Sequence, residues 1–145
     1  MTLPTDPLST ISDRLERFVA QTPGIVRAVL FTPDGLQWPP PQVCDADAER
    51  FAAACSMLAS VAQNLFQDRS GGVRQNAVEH DDGYLFIMHT PHQVGVGTRA
   101  VALAFGVEAS READPGTLGA VMSKWIAGIA GHLTVQARDH TAPVR

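Results

Sequence analysis

The chain has 145 residues, of which 45% are hydrophobic and 18% are charged, and its formal net charge is −4. This length suits one domain that can bury a core without disulfides or metals. The weak negative charge and the scattered basic residues argue against nucleic acid or an anionic membrane as the main partner. We therefore predict a single domain over residues 1–145, with an ordered part at about 8–136 and a tail at 137–145.

Cysteine usage and the N-terminal residues indicate a cytoplasmic protein. Cys44 and Cys55 are not spaced as a Cys-x-x-Cys motif, and two cysteines make no disulfide framework, so we expect reduced thiols. The first twenty residues contain acidic side chains and lack the apolar segment of a signal peptide. The longest nearly apolar run, Phe51–Ala62, is too short to span a bilayer. The sequence therefore predicts a soluble cytoplasmic protein without membrane insertion.

The first predicted element is an amphipathic helix near the N-terminus. Its apolar residues recur at helical spacing: Leu8, Ile11, Leu15 and Phe18. Asp6 can cap this helix, with Pro7 at its first position. Thr22-Pro23-Gly24 ends it, because a residue that precedes proline disfavours helical backbone angles. We expect about three helical turns.

A hairpin of two strands is predicted next. Gly24–Thr32 is rich in β-branched and aromatic residues, Pro33-Asp34-Gly35 has the composition of a turn, and Leu36–Trp38 forms a short second strand. Pro39–Pro41 must end that strand, because proline donates no backbone hydrogen bond. Such a proline run can also bind an aromatic-lined groove, but we interpret it as a stiff connection.

The longest periodic element is a central helix from about residue 45 to Gln67, capped by Asp45 or Asp47. One apolar stripe is predicted to face the sheet: Phe51, Cys55, Leu58, Ala62 and Leu65. A second stripe contains Ala54, Met57 and Val61. Together the two stripes are wider than a helix packed on one sheet needs, so part of this surface is available for another protein.

Three further strands are predicted after the central helix. Val73–Glu79 is moderately polar, as edge strands often are, and His80–Gly83 forms a turn. Tyr84–His89 is predicted as a buried strand, Thr90–Thr98 as a loop and Arg99–Val107 as a central strand.

The last predicted helix begins at Asp114-Pro115. Its apolar positions keep a helical period: Leu118, Met122, Trp125, Ile126, Ile129 and Leu133. The predicted order is therefore α-β-β-α-β-β-β-α, with a mostly antiparallel sheet because hairpins join its strands.

Four short motifs occur along this order. They are Pro23-Gly24-Ile25 before the first strand, Asp34-Gly35-Leu36 at the turn, Asp47-x-x-Arg50-x-Ala52-Ala53 on the central helix, and Leu118-Gly119 on the last helix. By their order and spacing over about residues 8–136, the chain resembles the roadblock/dynein light-chain family, whose architecture is profilin-like. Trp38-Pro39-Pro40-Pro41 departs from the family pattern, because it shortens the second strand.

The resemblance implies a fold, an assembly and a function. The fold is a five-stranded antiparallel sheet with the central helix on one face and the two terminal helices on the other. The assembly is a homodimer formed by edge strands and central helices. The family implies a regulator or scaffold for a small Ras-like GTPase, in bacteria resembling the gliding-motility GTPase regulator, with a sensor-kinase-like protein as another kind of partner.

No motif in the chain predicts catalysis, a metal site or a cofactor. Gly95–Ala100 fits the dinucleotide pattern G-x-G-x-x-A, but that pattern needs a helix after it and a strand follows here. His89 and His92 could suggest a metal, yet zinc needs three or four ligands. Asp81-Asp82 lies in a turn, where solvated carboxylates are expected. Arg50 could act as an arginine finger, but we expect it to pair with Asp47 instead.

The candidate site is therefore a surface. The predicted partner face of the central helix comprises Ala46, Arg50, Ala53, Met57, Ser60 and Asn64. The predicted edge of the dimer lies within Val73–Val78 and comprises Val73, Gln75 and Ala77. The alternative for the helix face is plain solvent exposure, and the alternative function is a profilin-like small-molecule sensor. A ligand pocket lined by Tyr84, His89 and Trp125 would support the sensor.

Overall fold

The protein has a four-stranded antiparallel sheet with helices on both faces. The computed structural model describes residues 7–133, with side chains from residue 10 onward. The elements in chain order are α1 (Pro7–Gln21), β1 (Ile25–Phe31), α2 (Ala46–Leu65), β2 (Gln75–His80), β3 (Gly83–Val96), β4 (Arg99–Ser110) and α3 (Pro115–Gly128). Residues 130–133 are again helical. The strand order across the sheet is β1-β4-β3-β2. The predicted cap Asp6 and the predicted tail 137–145 lie outside the described residues.

Two of the helices begin at the aspartates that the sequence offers as caps. The Asp45 carboxylate accepts hydrogen bonds from the backbone N–H groups of Asp47 and Ala48, at 3.0 and 3.3 Å. Asp114 accepts one from Gly116 at 3.0 Å, with proline at the start of the helix. These bonds satisfy N–H groups that have no partner within the helix. Asp45 is therefore the cap of α2, which ends at Leu65, two residues before the predicted Gln67.

The prediction of a fifth strand at Leu36–Trp38 is wrong. This segment makes only an isolated bridge between Phe31 and Gln37. Two backbone bonds hold it to β1, from Thr32 N to Leu36 O at 2.9 Å and from Trp38 N to Leu30 O at 3.0 Å. The prolines that follow donate no hydrogen bonds, so the pairing cannot continue into a strand.

The predicted loop at Thr90–Thr98 is also wrong, because β3 continues through it to Val96. Residues 90–92 stand opposite the single residue Leu103 of β4, so the strand is irregular there. The Thr90 hydroxyl donates to the Leu103 carbonyl at 2.9 Å and accepts from His92 N at 3.1 Å. These side-chain bonds replace ladder bonds beside Pro91, after which pairing resumes. Gly97, with φ of 63°, and Thr98 form a two-residue hairpin turn.

The helices divide between the two faces of the sheet as the family resemblance implies. α1 and α3 share one core with the side chains of Leu30, Phe86 and Phe105, and α2 shares another with Val29, Phe31 and Ile87. The two cores therefore lie on opposite sides of the same four strands.

The rotation of α2 differs from the prediction. Its buried residues are Phe51, Ala52, Cys55, Ser56 and Ala59. Predicted core residues Leu58 and Ala62 are half-buried, and Leu65 is exposed. The helix is very close to the sheet at Gly106, where a Cβ atom would lie 2.9 Å from the Cys55 sulfur. At that distance small residues fit beneath the middle of α2, where Ala52, Cys55 and Ala59 lie, and the aliphatic residues Met57, Val61 and Leu65 point outward.

Candidate partner-binding surface

The outer face of α2 carries the predicted partner residues. All six residues of the predicted face are exposed: Ala46, Arg50, Ala53, Met57, Ser60 and Asn64. The sequence thus identified an exposed face, but exposure alone does not show that a partner binds there. The side chains around these six residues decide what kind of partner fits.

An apolar stripe runs along the same side of α2. We define this apolar stripe as Ala54, Met57, Val61 and Leu65, all of them exposed. Met57 is 70%, Val61 66% and Leu65 72% exposed, although side chains of this size usually contribute to a core. Large contiguous apolar patches on a protein surface mark interaction sites, so this stripe is a candidate for one.

Part of this stripe lies outside the predicted site. The sequence predicts Leu65 in the core, and Ala54 and Val61 belong to the second predicted stripe but not to the predicted partner face. The signal was present, because an apolar surface wider than one sheet requires must leave one side uncovered. Periodicity alone does not say which of two apolar sides faces the sheet.

Arg50 is held in an ion pair at the N-terminal end of the stripe. It pairs with Asp47, one turn earlier on the helix, and both side chains are exposed. An exposed pair of this kind contributes little to stability, about 0.3–0.5 kcal/mol. The expected pairing with Asp47 is confirmed.

β2 is an open edge of the sheet. No strand in the described part of the chain pairs with its outer side. His89 N donates to Arg74 O at 3.0 Å, and hydrogen-bonding direction alternates along an antiparallel pair. The N–H and C=O groups of Gln75, Ala77 and Glu79 therefore point away from β3. Gln75 and Ala77 are thus suited to pairing with another strand, whereas Val73 lies before β2.

The opposite edge, β1, is far less open. An irregularity between Ile25 and Arg27 adds Val26 as an extra residue relative to β4. At its other end, the segment around Gln37 covers the backbone of Leu30 and Thr32. Bulges and covering segments are two ways in which proteins prevent pairing at an edge. Of the two edges, β2 is the one available to a partner strand.

A groove connects the apolar stripe with β2. Its volume is about 540 Å³, and its apolar walls include Phe51 and Ala54 of α2 together with Val78 and Leu85 of the β2–β3 hairpin. Val78 is 41% exposed on the face of the sheet that α2 covers. The exposed apolar surface therefore continues from the helix to the open edge.

The polar end of this groove is formed by Arg27. Its guanidinium lies 4.0 Å from the centre of the Phe51 ring and donates to Glu108 at 2.8 Å. The cation is therefore neutralised within the chain, and the groove presents mainly apolar side chains to a partner.

Arg111 holds the turn of the β2–β3 hairpin in place. It donates to the carbonyl oxygens of His80 and Asp81 at 2.8 Å each and to the Glu79 carboxylate at 3.2 Å. The same guanidinium lies 5.3 Å from the centre of the Tyr84 ring. These contacts attach the edge strand to the loop between β4 and α3 and so order the strand before any partner binds.

The residues considered for chemistry do not assemble into one site. Within residues 7–133, no group of three or more His, Cys, Asp or Glu side chains could hold a metal ion. Gly95–Ala100 forms the hairpin between β3 and β4, so no helix follows the glycines. In that same part of the chain, no helix is long and apolar enough to cross a membrane.

The pocket predicted for a small-molecule sensor is absent from the described residues. Trp125 stacks on Phe105, with ring centres 4.5 Å apart, in the filled core beneath α1 and α3. Tyr84 packs at the margin of that core, whereas His89 lines a cleft on the α2 face. The three residues do not share a cavity.

The two thiols lie in different environments. Cys55 is fully buried between α2 and the sheet, and burial raises its pKa to about 11. Cys44 is exposed, and its sulfur donates a hydrogen bond to Glu49 at 3.2 Å, which raises the pKa of this thiol. Both effects disfavour the thiolate, the form that reacts as a nucleophile.

Comparison with known proteins connects this geometry to one family. The sequence model of the Roadblock/LC7 domain matches residues 11–92. A solved Roadblock/LC7 domain from Streptomyces avermitilis is similar at 28% identity and a TM-score of 0.65, over 83% of this chain and 95% of that one. No curated protein matches the chain.

Two solved structures of MglB have a similar fold at low identity. The gliding protein MglB from Thermus thermophilus is 12% identical, with a TM-score of 0.66 over 93% of this chain and 96% of that one. An MglB described in a tetrameric arrangement is 11% identical, with a TM-score of 0.69 over 94% and 96%. At these identities the likeness concerns the fold alone.

Proposed function

Because this chain belongs to the Roadblock/LC7 family, we propose that it is a homodimeric, non-catalytic regulator or scaffold for a small Ras-like GTPase. The observation that carries the proposal is the exposed apolar stripe of α2 beside the open edge β2. A chain that acted alone would leave both features in water.

The dimer that we propose pairs the outer edges of two β2 strands and packs two α2 helices together. Gln75, Ala77 and Glu79 offer backbone groups for the strand pairing, and the apolar stripe becomes buried between the helices. Burying apolar surface stabilises a complex by about 25 cal/mol per Å² before the cost of association is subtracted. One MglB structure is described in a tetrameric arrangement, which supports self-association in this fold.

The GTPase is proposed to lie across the paired α2 helices. Residues beside the apolar stripe would contact it: Ala46, Arg50, Ala53, Ser60 and Asn64. This role rests on the family to which the chain belongs. We propose that Arg50, which pairs with Asp47 in the free chain, binds the partner and takes no part in hydrolysis. A sensor-kinase-like protein is the second kind of partner that this surface could bind.

Light scattering and sedimentation of the purified chain test the dimer. We expect a dimer that becomes a monomer when Met57→Arg or Val61→Arg places a charge in the apolar stripe. Ala53→Arg, beside the stripe, should weaken the dimer less. Ala120→Arg is the matched control, because Ala120 is exposed on α3. A wild-type monomer at high concentration would contradict the proposed dimer.

The strand pairing has its own test. Ala77→Pro removes an N–H group that points away from β3, so the edge strand can keep its pairing within the chain but not with a second copy. We expect a folded monomer. Ala77→Val keeps the N–H group and should leave the dimer intact. Equal dimerisation of both variants would show that β2 does not form the interface.

Calorimetry with a purified small Ras-like GTPase from the same organism tests the partner. We expect binding that depends on whether GDP or a non-hydrolysable GTP analogue is loaded. Arg50→Ala should weaken binding while the dimer persists. GTP hydrolysis measured at saturating concentration should then be equal for wild type and Arg50→Ala. The proposal fails if neither nucleotide form binds, and a large loss of hydrolysis at saturation would make Arg50 an arginine finger.

A further inference from the structure

A cleft separate from the groove beside β2 opens between the C-terminal half of α2 and the sheet. Its volume is about 310 Å³, within the range of small-molecule sites. Phe31, Ala59 and Ala104 line it and are buried, whereas Ser60 and Asn64 are exposed at its mouth. The space exists because residues that could fill it are alanines.

A buried polar atom without a partner belongs to this cleft. The His89 side chain leaves the sheet on the same face as Ile87, two residues earlier, and lines the cleft. Its Nε2 atom is buried and has no hydrogen-bond partner among the described residues. A buried polar atom is stabilised only when it forms a hydrogen bond, so a ligand in the cleft can supply the missing bond once the imidazole turns Nε2 towards it.

The electrostatics of the cleft limit the class of ligand. None of its lining residues is an aspartate, glutamate, lysine or arginine. Burial lowers the pKa of His89 below its ordinary value of 6.5, so the imidazole is neutral at neutral pH. A neutral Nε2 either donates or accepts one hydrogen bond, according to the tautomer. A charged ligand would lose its hydration here without gaining an opposite charge.

We propose that this cleft binds a small uncharged molecule with an apolar body and one polar group. The body rests on Phe31 and the alanines, and the polar group forms a hydrogen bond with Nε2 of His89. In the chain without a bound GTPase, Ser60 and Asn64 at the mouth are available to further polar groups. The ligand is held by residues of a single chain, so its binding requires neither dimerisation nor a GTPase.

Water alone is a poorer occupant than such a molecule. A water needs two to four polar partners, and the side chains of Phe31, Ala59 and Ala104 on the floor of the cleft offer none. An apolar body removes that floor from water, and its polar group still satisfies His89.

Nuclear magnetic resonance of the full chain tests the proposal. Benzyl alcohol, which joins an aromatic ring to one hydroxyl, is the probe, and the ring nitrogens of His89 report binding. We expect a saturable shift of Nε2 with a dissociation constant in the millimolar range, as befits so small a ligand. Benzoate, of similar size but negatively charged, should bind at least about tenfold more weakly.

Two pairs of variants locate the probe. Ala102→Leu fills the cleft from β4 and should weaken binding at least about tenfold. Ala100→Leu makes the same change two residues away, outside the cleft, and should leave binding unchanged. His89→Leu should remove the preference for benzyl alcohol over toluene. His80→Leu, at an exposed histidine, should keep that preference.

Three results would overturn the proposal. They are the absence of a saturable shift at His89, equal binding by Ala102→Leu and Ala100→Leu, and equal affinity for benzyl alcohol and benzoate. Any of them would mean that the cleft holds water only or that the probe binds elsewhere. Met57→Arg should bind benzyl alcohol as the wild type does, so failure of the proposed dimer would not affect this result.

Discussion

The two faces of the sheet are covered to different extents. Beneath α1 and α3, large aromatic residues pack against one another, with Phe18, Phe105 and Trp125 in mutual ring contact. Beneath α2, the helix contributes Phe51 and three small residues, Ala52, Cys55 and Ala59, which pack on Val29, Phe31 and Ile87 of the sheet. The first face is a core complete within one chain. On the second face, α2 lies so close to the sheet that its aliphatic residues Met57, Val61 and Leu65 point outward, where a partner can bind them.

The difference between the faces predicts where mutations reduce stability. Phe105→Ala removes a fully buried ring from the aromatic core and should lower the free energy of unfolding by about 3–5 kcal/mol. Met57→Ala changes an exposed residue and should lower it by no more than about 0.5 kcal/mol. Both substitutions are to be measured by urea denaturation in the Val61→Arg variant. We expect that variant to be monomeric, so dimerisation does not contribute to the measured free energies. Equal losses would contradict the contrast between the faces.

The close approach of α2 to the sheet can be tested at Gly106. Gly106→Ala adds a Cβ atom 2.9 Å from the Cys55 sulfur, and overpacking of this kind costs about 1–3 kcal/mol. Gly131→Ala is the control, since a Cβ atom there meets nothing within 4 Å. Urea midpoints of the two variants are to be compared. A neutral Gly106→Ala would mean that α2 can shift away from the sheet easily.

Thiol labelling measures how firmly α2 is attached. Cys44 is exposed and Cys55 is fully buried with a pKa raised to about 11. An alkylating reagent should therefore modify one thiol in the native protein and both after denaturation. In Cys44→Ser, labelling of Cys55 should require local opening of the helix. Rapid labelling of native Cys55 would show that α2 detaches frequently.

The smallest predicted effect concerns pH. Burial lowers the pKa of His89 in the folded chain, so the unfolded chain binds a proton more readily. The stability that depends on a neutral His89 is therefore present above about pH 6.5 and is lost as the pH falls through and below that value. His89→Gln should reduce this loss between pH 7 and 5, whereas His80→Gln, at an exposed site, should not. Identical pH profiles for wild type and His89→Gln would contradict the prediction.

Helix caps and helix ends can be predicted from the sequence because they depend on neighbouring residues. Asp45 and Asp114 cap their helices, and Thr22-Pro23-Gly24 follows α1. The strand at Thr90–Thr98 was missed, because Pro91 and the glycines nearby indicate a loop when only neighbours are considered. Its pairing depends on Leu103, more than ten residues away.

The sequence by itself determined that α2 has more apolar surface than one sheet can cover. It also determined that the residues of β2 are polar, as in strands at the edge of a sheet. Only the tertiary structure decided which side of α2 faces outward. Helical spacing identifies apolar sides but does not choose between them, and that choice depends on the distance that Gly106 permits between helix and sheet. The same holds for the cleft at His89, because residues from α2, β1, β3 and β4 meet there only after folding.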